Sequence, residues 1–187
     1  FVSGINQTYY HGYNWSPPKA GFPGWFYCGS YIDDKELWWP YFKEVNKYHS
    51  RLSWVLQNSV SRSQVGLISW ESFLWEALHQ NGYCVDYINE KIIRDAASSG
   101  GKLTYGPQSY ELLILNRVDA VEPATATALA NFVNAGGKII FVDYPPYYAP
   151  GLADAVNMSK LTNSIITARI QQHPDKLVVV AGTDNNG

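Results

Sequence analysis

The chain has 187 residues, of which 46% are apolar, 15% aromatic and only 16% charged, with a formal net charge of −2. That supplies core enough for one generous domain or one domain with an appendage, and fewer charges than the roughly 25% of an average soluble domain. It excludes a basic footprint for nucleic acid or an anionic membrane; no run approaches the roughly 18 apolar residues of a spanning helix, and two cysteines are too few for a disulfide framework or a structural zinc site. Cys28 and Cys84 are either two free thiols or one bridge. There is no initial Met and no signal segment, and residues 183–187 form a polar tail, so both ends are expected to be cut from something longer.

Residues 1–55 hold five of the seven Trp, seven of the fourteen Tyr and four of the seven Phe. Pro17, Pro18, Pro23 and several glycines punctuate this stretch, which predicts a short strand and then a long irregular loop over about 12–34. A loop of that length serves a site or an interface. The aromatic excess has two readings, a large core or interface and a sugar-binding surface of flat rings. Over residues 37–57 Trp38, Tyr41, Phe42, Val45, Tyr48, Leu52, Val55 and Leu56 recur at helical spacing, with Pro40 in the first turn. The aromatic face of this helix is expected to pack on the α/β domain that follows.

From Val65 onward short apolar runs alternate with helical stretches. Strands are predicted over 65–70, 83–89, 111–116, 138–143 and 176–181, and helices over 71–80, 90–97, 123–133 and 159–172. Residues 102–110, with Gly106-Pro107, read as a hairpin or loop. Pro123 opens one helix and Gly136-Gly137 closes it, following the usual placement of Pro and Gly at helix ends. Alternating strands and helices imply a parallel sheet covered on both faces. Right-handed crossovers then give a doubly wound parallel five-stranded α/β sheet, flavodoxin-like, in the order 2-1-3-4-5. The expected domains are 1–60 and 61–187.

The loops beyond the strand ends carry little recognisable chemistry. Trp70-Glu71-Ser72 has neither a dinucleotide nor a phosphate-loop glycine pattern, so no cofactor is expected. The turn after the 111–116 strand is Arg117-Val118-Asp119, without the nucleophilic Cys of the glutamine amidotransferase class, and no serine elbow exists. Cys84 falls within a predicted strand, where its thiol would be buried and inert. His11, His49, His79 and His173 are scattered, so no metal site is expected. Asp33, Asp34 and Glu36 form the acidic cluster of the aromatic segment, and the simplest role for it is at the start of the following helix. Asp86 and Asp143 sit singly at strand ends. Glycosylation sequons occur at Asn6, Asn14 and Asn157.

Gly4-Ile5-Asn6-Gln7 leading to Tyr10-His11-Gly12-Tyr13 resembles the final barrel strand of α-L-rhamnosidase-like glycoside hydrolases, large bacterial enzymes acting on pectic glycans. Trp38-Trp39 and Arg51-Leu52-Ser53-Trp54-Val55-Leu56-Gln57 are similar to the helix closing those barrels. Tyr83, the Asp86 to Asn89 run, Glu111 to Leu115 and Phe132 to Lys138 resemble their amidotransferase-like domain. Leu37 and the loop from Lys19 to Asp34 depart from the family pattern. The resemblance implies a barrel remnant ahead of the α/β domain, with the family's catalytic carboxylates on earlier strands, so no catalytic residue is carried over. It places His11 at a strand end, followed by Tyr13 and Trp15, and implies that these three line a sugar cleft in the intact enzyme.

The expected function is therefore a non-catalytic structural or interaction domain of a larger carbohydrate-active enzyme. The alternatives are a carbohydrate-binding module using the N-terminal aromatics, or a trimerisation-type domain like that of some β-galactosidases. Expected partners are the remaining domains of the parent enzyme, an oligosaccharide, and a second copy through self-association, but no nucleic acid and no membrane. A periplasmic or secreted location follows from the resemblance.

Overall fold

The computed structural model describes residues 5–26, 31–71, 73–151 and 153–182. The chain divides into two compact units, Phe1–Val60 and Ser61–Gly187.

In the first unit a 3-10 turn, Trp39–Tyr41, leads into helix α1, Phe42–Gln57. Pro40 lies inside the 3-10 turn, so the α-helix starts about five residues later than the sequence pattern suggests. The short strand expected before residue 12 is not formed among the described residues. An extended segment needs a neighbour to take its backbone hydrogen bonds, and no other strand exists among the described residues of this unit. Within this unit α1 has no buried residue.

The second unit carries five parallel strands. In chain order they are β1 (Val65–Ile68), β2 (Val85–Tyr87), β6 (Leu112–Asn116), β7 (Lys138–Val142) and β8 (Leu177–Val180). They pair in the order β2-β1-β6-β7-β8, which is 2-1-3-4-5 when only the parallel strands are counted. The helices between them are α2 (Phe73–Gln80), α3 (Glu90–Asp95), α4 (Pro123–Asn134) and α5 (Ala155–Gln172). The doubly wound sheet is the one expected from the sequence.

Side chains alternate across the sheet as the pleat demands. Leu113, Leu115, Ile139, Phe141 and Leu177 face a cluster completed by Ile93 of α3, Leu129, Phe132 and Val133 of α4 and Ile166 of α5. On the opposite face Leu67, Val85, Ile114 and Val142 meet Leu74, Trp75 and Leu78 of α2. Each fully buried side chain of this kind contributes roughly 1.5–3 kcal/mol.

Helix ends follow from the residues at them. Asn89 caps α3 by accepting the Ile92 N–H at 3.0 Å. α4 ends in a Schellman motif: Gly136, at φ 102°, donates to the Val133 carbonyl, and Gly137 donates to the Phe132 carbonyl. α2 ends the same way, with Gly82 donating to His79 and Tyr83 to Leu78. That use of Tyr83 delays β2 until Val85. Cys84 therefore sits ahead of the strand as a free, exposed thiol, contrary to the burial expected for it. Cys28 lies outside the described residues.

Residues 97–110 form a second, antiparallel sheet of β3 (Ala97–Ser99), β4 (Lys102–Tyr105) and β5 (Gln108–Tyr110). Gly100 and Gly101, both at positive φ, make a two-residue turn between Ser99 and Lys102. Gly106-Pro107 makes the next turn, so residues 97–110 form a three-stranded meander rather than a single hairpin or loop. Leu103 and Tyr110 anchor it in the larger core cluster. Burial, reinforced by the neighbouring Asp86 carboxylate at 3.2 Å, pushes the Tyr110 phenol up to about 12.

Candidate carbohydrate-binding site

The long loop of the first unit is held by polar groups. Asn14, Ser16, Asp33 and Glu36 are its buried side chains, with Asp33 only 1% exposed. The Asp33 carboxylate accepts the Ser16 hydroxyl and, at 2.8 Å, the Lys35 backbone N–H. Ser16 Oγ in turn accepts the Trp25 N–H at 2.8 Å. The Asn14 N–H donates to the Ile32 carbonyl at 2.8 Å. Three segments distant in sequence, around residues 14–16, 24–25 and 32–35, are thereby tied at one point.

Gly24 is required at that point. Its φ is 85°, and a Cβ there would come within 2.7 Å of Ser16 Oγ and 2.8 Å of Asp33 Oδ2. The Ser16 hydroxyl is the main reason the Asp33 carboxyl is held below the usual carboxylate range. Burial opposes this shift, while the Lys35 backbone N–H and charge reinforce it. Asp33 thus stays ionised at neutral pH and serves as the acceptor of a staple. Of the rest of the expected acidic cluster, Asp34 is exposed and pairs with Lys35 at 3.4 Å, and Glu36 is buried.

With polar groups inside, the rings are outside. Trp15 and Trp25 are 66% and 60% exposed and meet edge to face at 6.2 Å. Phe26 stacks on Tyr31 at 4.8 Å. Tyr13, Asn14, Trp15, Gly24, Trp25 and Phe26 line an open groove of about 690 Å³. Flat exposed rings offer a pyranose apolar faces to stack on. Among the described residues no carboxylate lines this groove, whereas hydrolysis of a glycosidic bond requires a pair of them.

Of the three residues expected at a sugar cleft, Tyr13 and Trp15 line the groove; His11 is exposed but does not line it. Trp25, Phe26 and the Ser16–Asp33 staple escaped the sequence reading. Pro17-Pro18 and Pro23-Gly24 signalled turns that could return the chain on itself, but nothing in the spacing identified Asp33 as the anchor. Of the sequons, Asn14 is buried and so is no acceptor in the folded chain, whereas Asn6 and Asn157 are exposed.

The carboxyl edge of the parallel sheet is the other place where this fold holds ligands. There Arg117, directly after β6, adopts a left-handed φ of 52°, and Asp143, directly after β7, one of 67°. Arg117 Nε donates to Asp143 Oδ2 at 2.6 Å and its Nη1 lies 3.3 Å from Glu71. Asn116 bridges Ser69 at 2.9 Å and Glu71 at 3.3 Å. The Arg117 hydrogen bond, followed by the Gly182 N–H, holds the Asp143 carboxyl below its ordinary range. At the turn where a nucleophile elbow would stand, a cation is clamped between two carboxylates. Among the described residues no group of His, Cys, Asp and Glu could hold a metal ion, and no helix is long and apolar enough to cross a membrane.

Residues 1–186 match the family model described as alpha-L-rhamnosidase. The chain belongs to this glycoside hydrolase family. Among curated proteins, this alpha-L-rhamnosidase family member is similar to a Formosa agariphila protein named "Putative beta-glucuronidase", with 27% identity over 148 residues. The match covers 75% of the chain and 13% of that relative, so the chain corresponds to a small part of the relative's length. No solved structure matches it.

Proposed function

We propose that this chain is a non-catalytic part of a larger secreted or periplasmic carbohydrate-active enzyme acting on plant or pectic glycans, and that its aromatic groove holds part of the glycan. The α/β unit, on this reading an amidotransferase-like domain without its nucleophile, serves as scaffold and interaction domain for the rest of the enzyme. The observation that carries the reading is the groove itself. Tyr13, Trp15, Trp25 and Phe26 are presented to solvent by a buried polar staple, and among the described residues no Asp or Glu lines their groove. His11, two residues from Tyr13, completes the cleft only alongside parts of the parent enzyme.

Family membership supports the substrate class, and the Arg117 clamp supports the absence of chemistry in the α/β unit. The test is kinetic and is made in the parent enzyme. Trp15→Ala is expected to raise KM for a rhamnose-containing oligosaccharide about tenfold, equivalent to about 1.4 kcal/mol of binding, with kcat little changed. A collapse of kcat with KM unchanged would place this region in the catalytic machinery instead.

A further inference from the structure

α1 carries a second groove, of about 670 Å³, whose lining differs in kind from the first. Lys43, Lys47 and Arg51 follow one another at four-residue intervals along it, with Asn46 and Ser50 between them. Four-residue spacing puts the three cations on one helix face, spread over about 12 Å. Trp39 and Phe42, stacked at 5.2 Å and 26°, form its aromatic end.

The charge there is unbalanced. Across its sixteen residues α1 has three Lys or Arg and one carboxylate, Glu44, which pairs with Lys47 at 2.9 Å. Among the described residues neither Lys43 nor Arg51 forms an ion pair. A chain with a net charge of −2 thus concentrates unpaired positive charge beside an aromatic platform. The two grooves also adjoin, because Tyr13 of the first touches Trp39 of the second, ring centroids 5.5 Å apart.

We infer that the α1 groove is a subsite for the acidic sugar residues of a glycan, with uronate carboxylates on Lys43 and Arg51 and a pyranose face on Trp39. Asn46 and Ser50 suit sugar hydroxyls, and a row of cations suits a polymer with a charge on successive units better than a compact anion. The inference rests on the glycan-binding reading above and specifies its substrate class. A glycan running from the Trp15 groove past Tyr13 and Trp39 presents neutral sugar at one end and acidic sugar at the other.

The experiment is calorimetric titration of the full chain with three sugar probes, tetragalacturonate, its methyl ester and a neutral rhamno-oligosaccharide, and with single-stranded DNA as a competing polyanion. Tetragalacturonate is expected to bind, to outcompete its ester, and to weaken as salt rises. Lys43→Gln and Arg51→Gln, both on exposed positions, should each weaken it by roughly fivefold, and together by roughly twenty-fold, the upper range for exposed charge pairs. Unchanged thermal melting would show that these losses are not unfolding. Equal affinity for acid and ester, indifference to both substitutions, or tighter binding of single-stranded DNA would overturn the inference. Should the neutral probe still bind in a Trp15-dependent way, the aromatic groove stands and only the acidic subsite falls. If none of the three sugars binds, both fall.

Discussion

In the α/β unit the interior is apolar: Phe132, Phe141, Leu113, Leu115 and Ile139 are almost wholly removed from water, and Trp70 is its one conspicuously exposed Trp. Among the described residues 5–60 the relation is reversed. Every buried side chain there is polar, namely Asn14, Ser16, Asp33 and Glu36, while Trp15, Trp25, Phe26, Tyr31, Tyr41 and Trp54 face solvent. One unit spends its rings and aliphatic side chains on a core, so its conformation rests on burial. The other is held by a few directional hydrogen bonds and leaves its aromatic area exposed.

The contrast is most easily broken by truncating rings on either side. Phe132→Ala, in the centre of the larger core, should cost about 3–5 kcal/mol. Trp15→Ala should change stability by less than about 0.5 kcal/mol. Urea unfolding followed by far-UV circular dichroism reads both, and comparable losses would mean that the aromatic loop is part of a core after all.

A methyl group sharpens the same comparison at smaller scale. Gly137→Ala would place a Cβ 2.1 Å from the Phe132 ring, an overpacking that should cost about 1–3 kcal/mol. Gly12→Ala, with open space around the added atom, meets only the backbone preference of its positive φ. A smaller loss at Gly137 than at Gly12 would show that Phe132 yields easily and that the core is looser than described.

Titration separates the two units as well. The Tyr110 pKa, raised to about 12 in the folded state, stabilises the α/β unit below its ordinary value of 10, and that stability is lost as pH rises from 10 through 12. Tyr110→Phe should remove this alkaline dependence. Asp33 has the opposite sign: its lowered pKa stabilises the loop above 3.8, and the contribution is lost as pH falls below 3.8 through the folded value. Trp emission recorded from pH 5 to 2 should therefore shift as the staple opens. In Asp33→Asn the acid-induced shift should be absent and the emission at neutral pH should already be that of the loosened loop. An unaltered acid profile in that variant would remove Asp33 from its anchoring role.

The parallel sheet was legible because its strands are short apolar runs set off by turn residues, and because helix-end signals such as Pro123 and Gly136-Gly137 are local. Boundaries slipped where a residue served its neighbour. Tyr83 is consumed by the α2 cap, and α5 starts at Ala155, ahead of the first periodic apolar residues. β3 was missed because Ala97-Ser98-Ser99 has no apolar alternation and is specified by pairing with β4. In the first unit, composition announced an aromatic surface, and Tyr13 and Trp15 could be named from order along the chain. The partners across the groove, Trp25 and Phe26, depend on a long-range hydrogen bond between Ser16 and Asp33 that no periodicity encodes.

Whether the groove holds glycan without cleaving it is decided by titrating the chain with rhamnose-containing oligosaccharides while recording Trp fluorescence and analysing products. A saturable emission change that Trp15→Ala abolishes is expected, with the oligosaccharide recovered intact. Cleavage by the chain itself, or saturable binding that Trp15→Ala leaves untouched, would contradict that expectation.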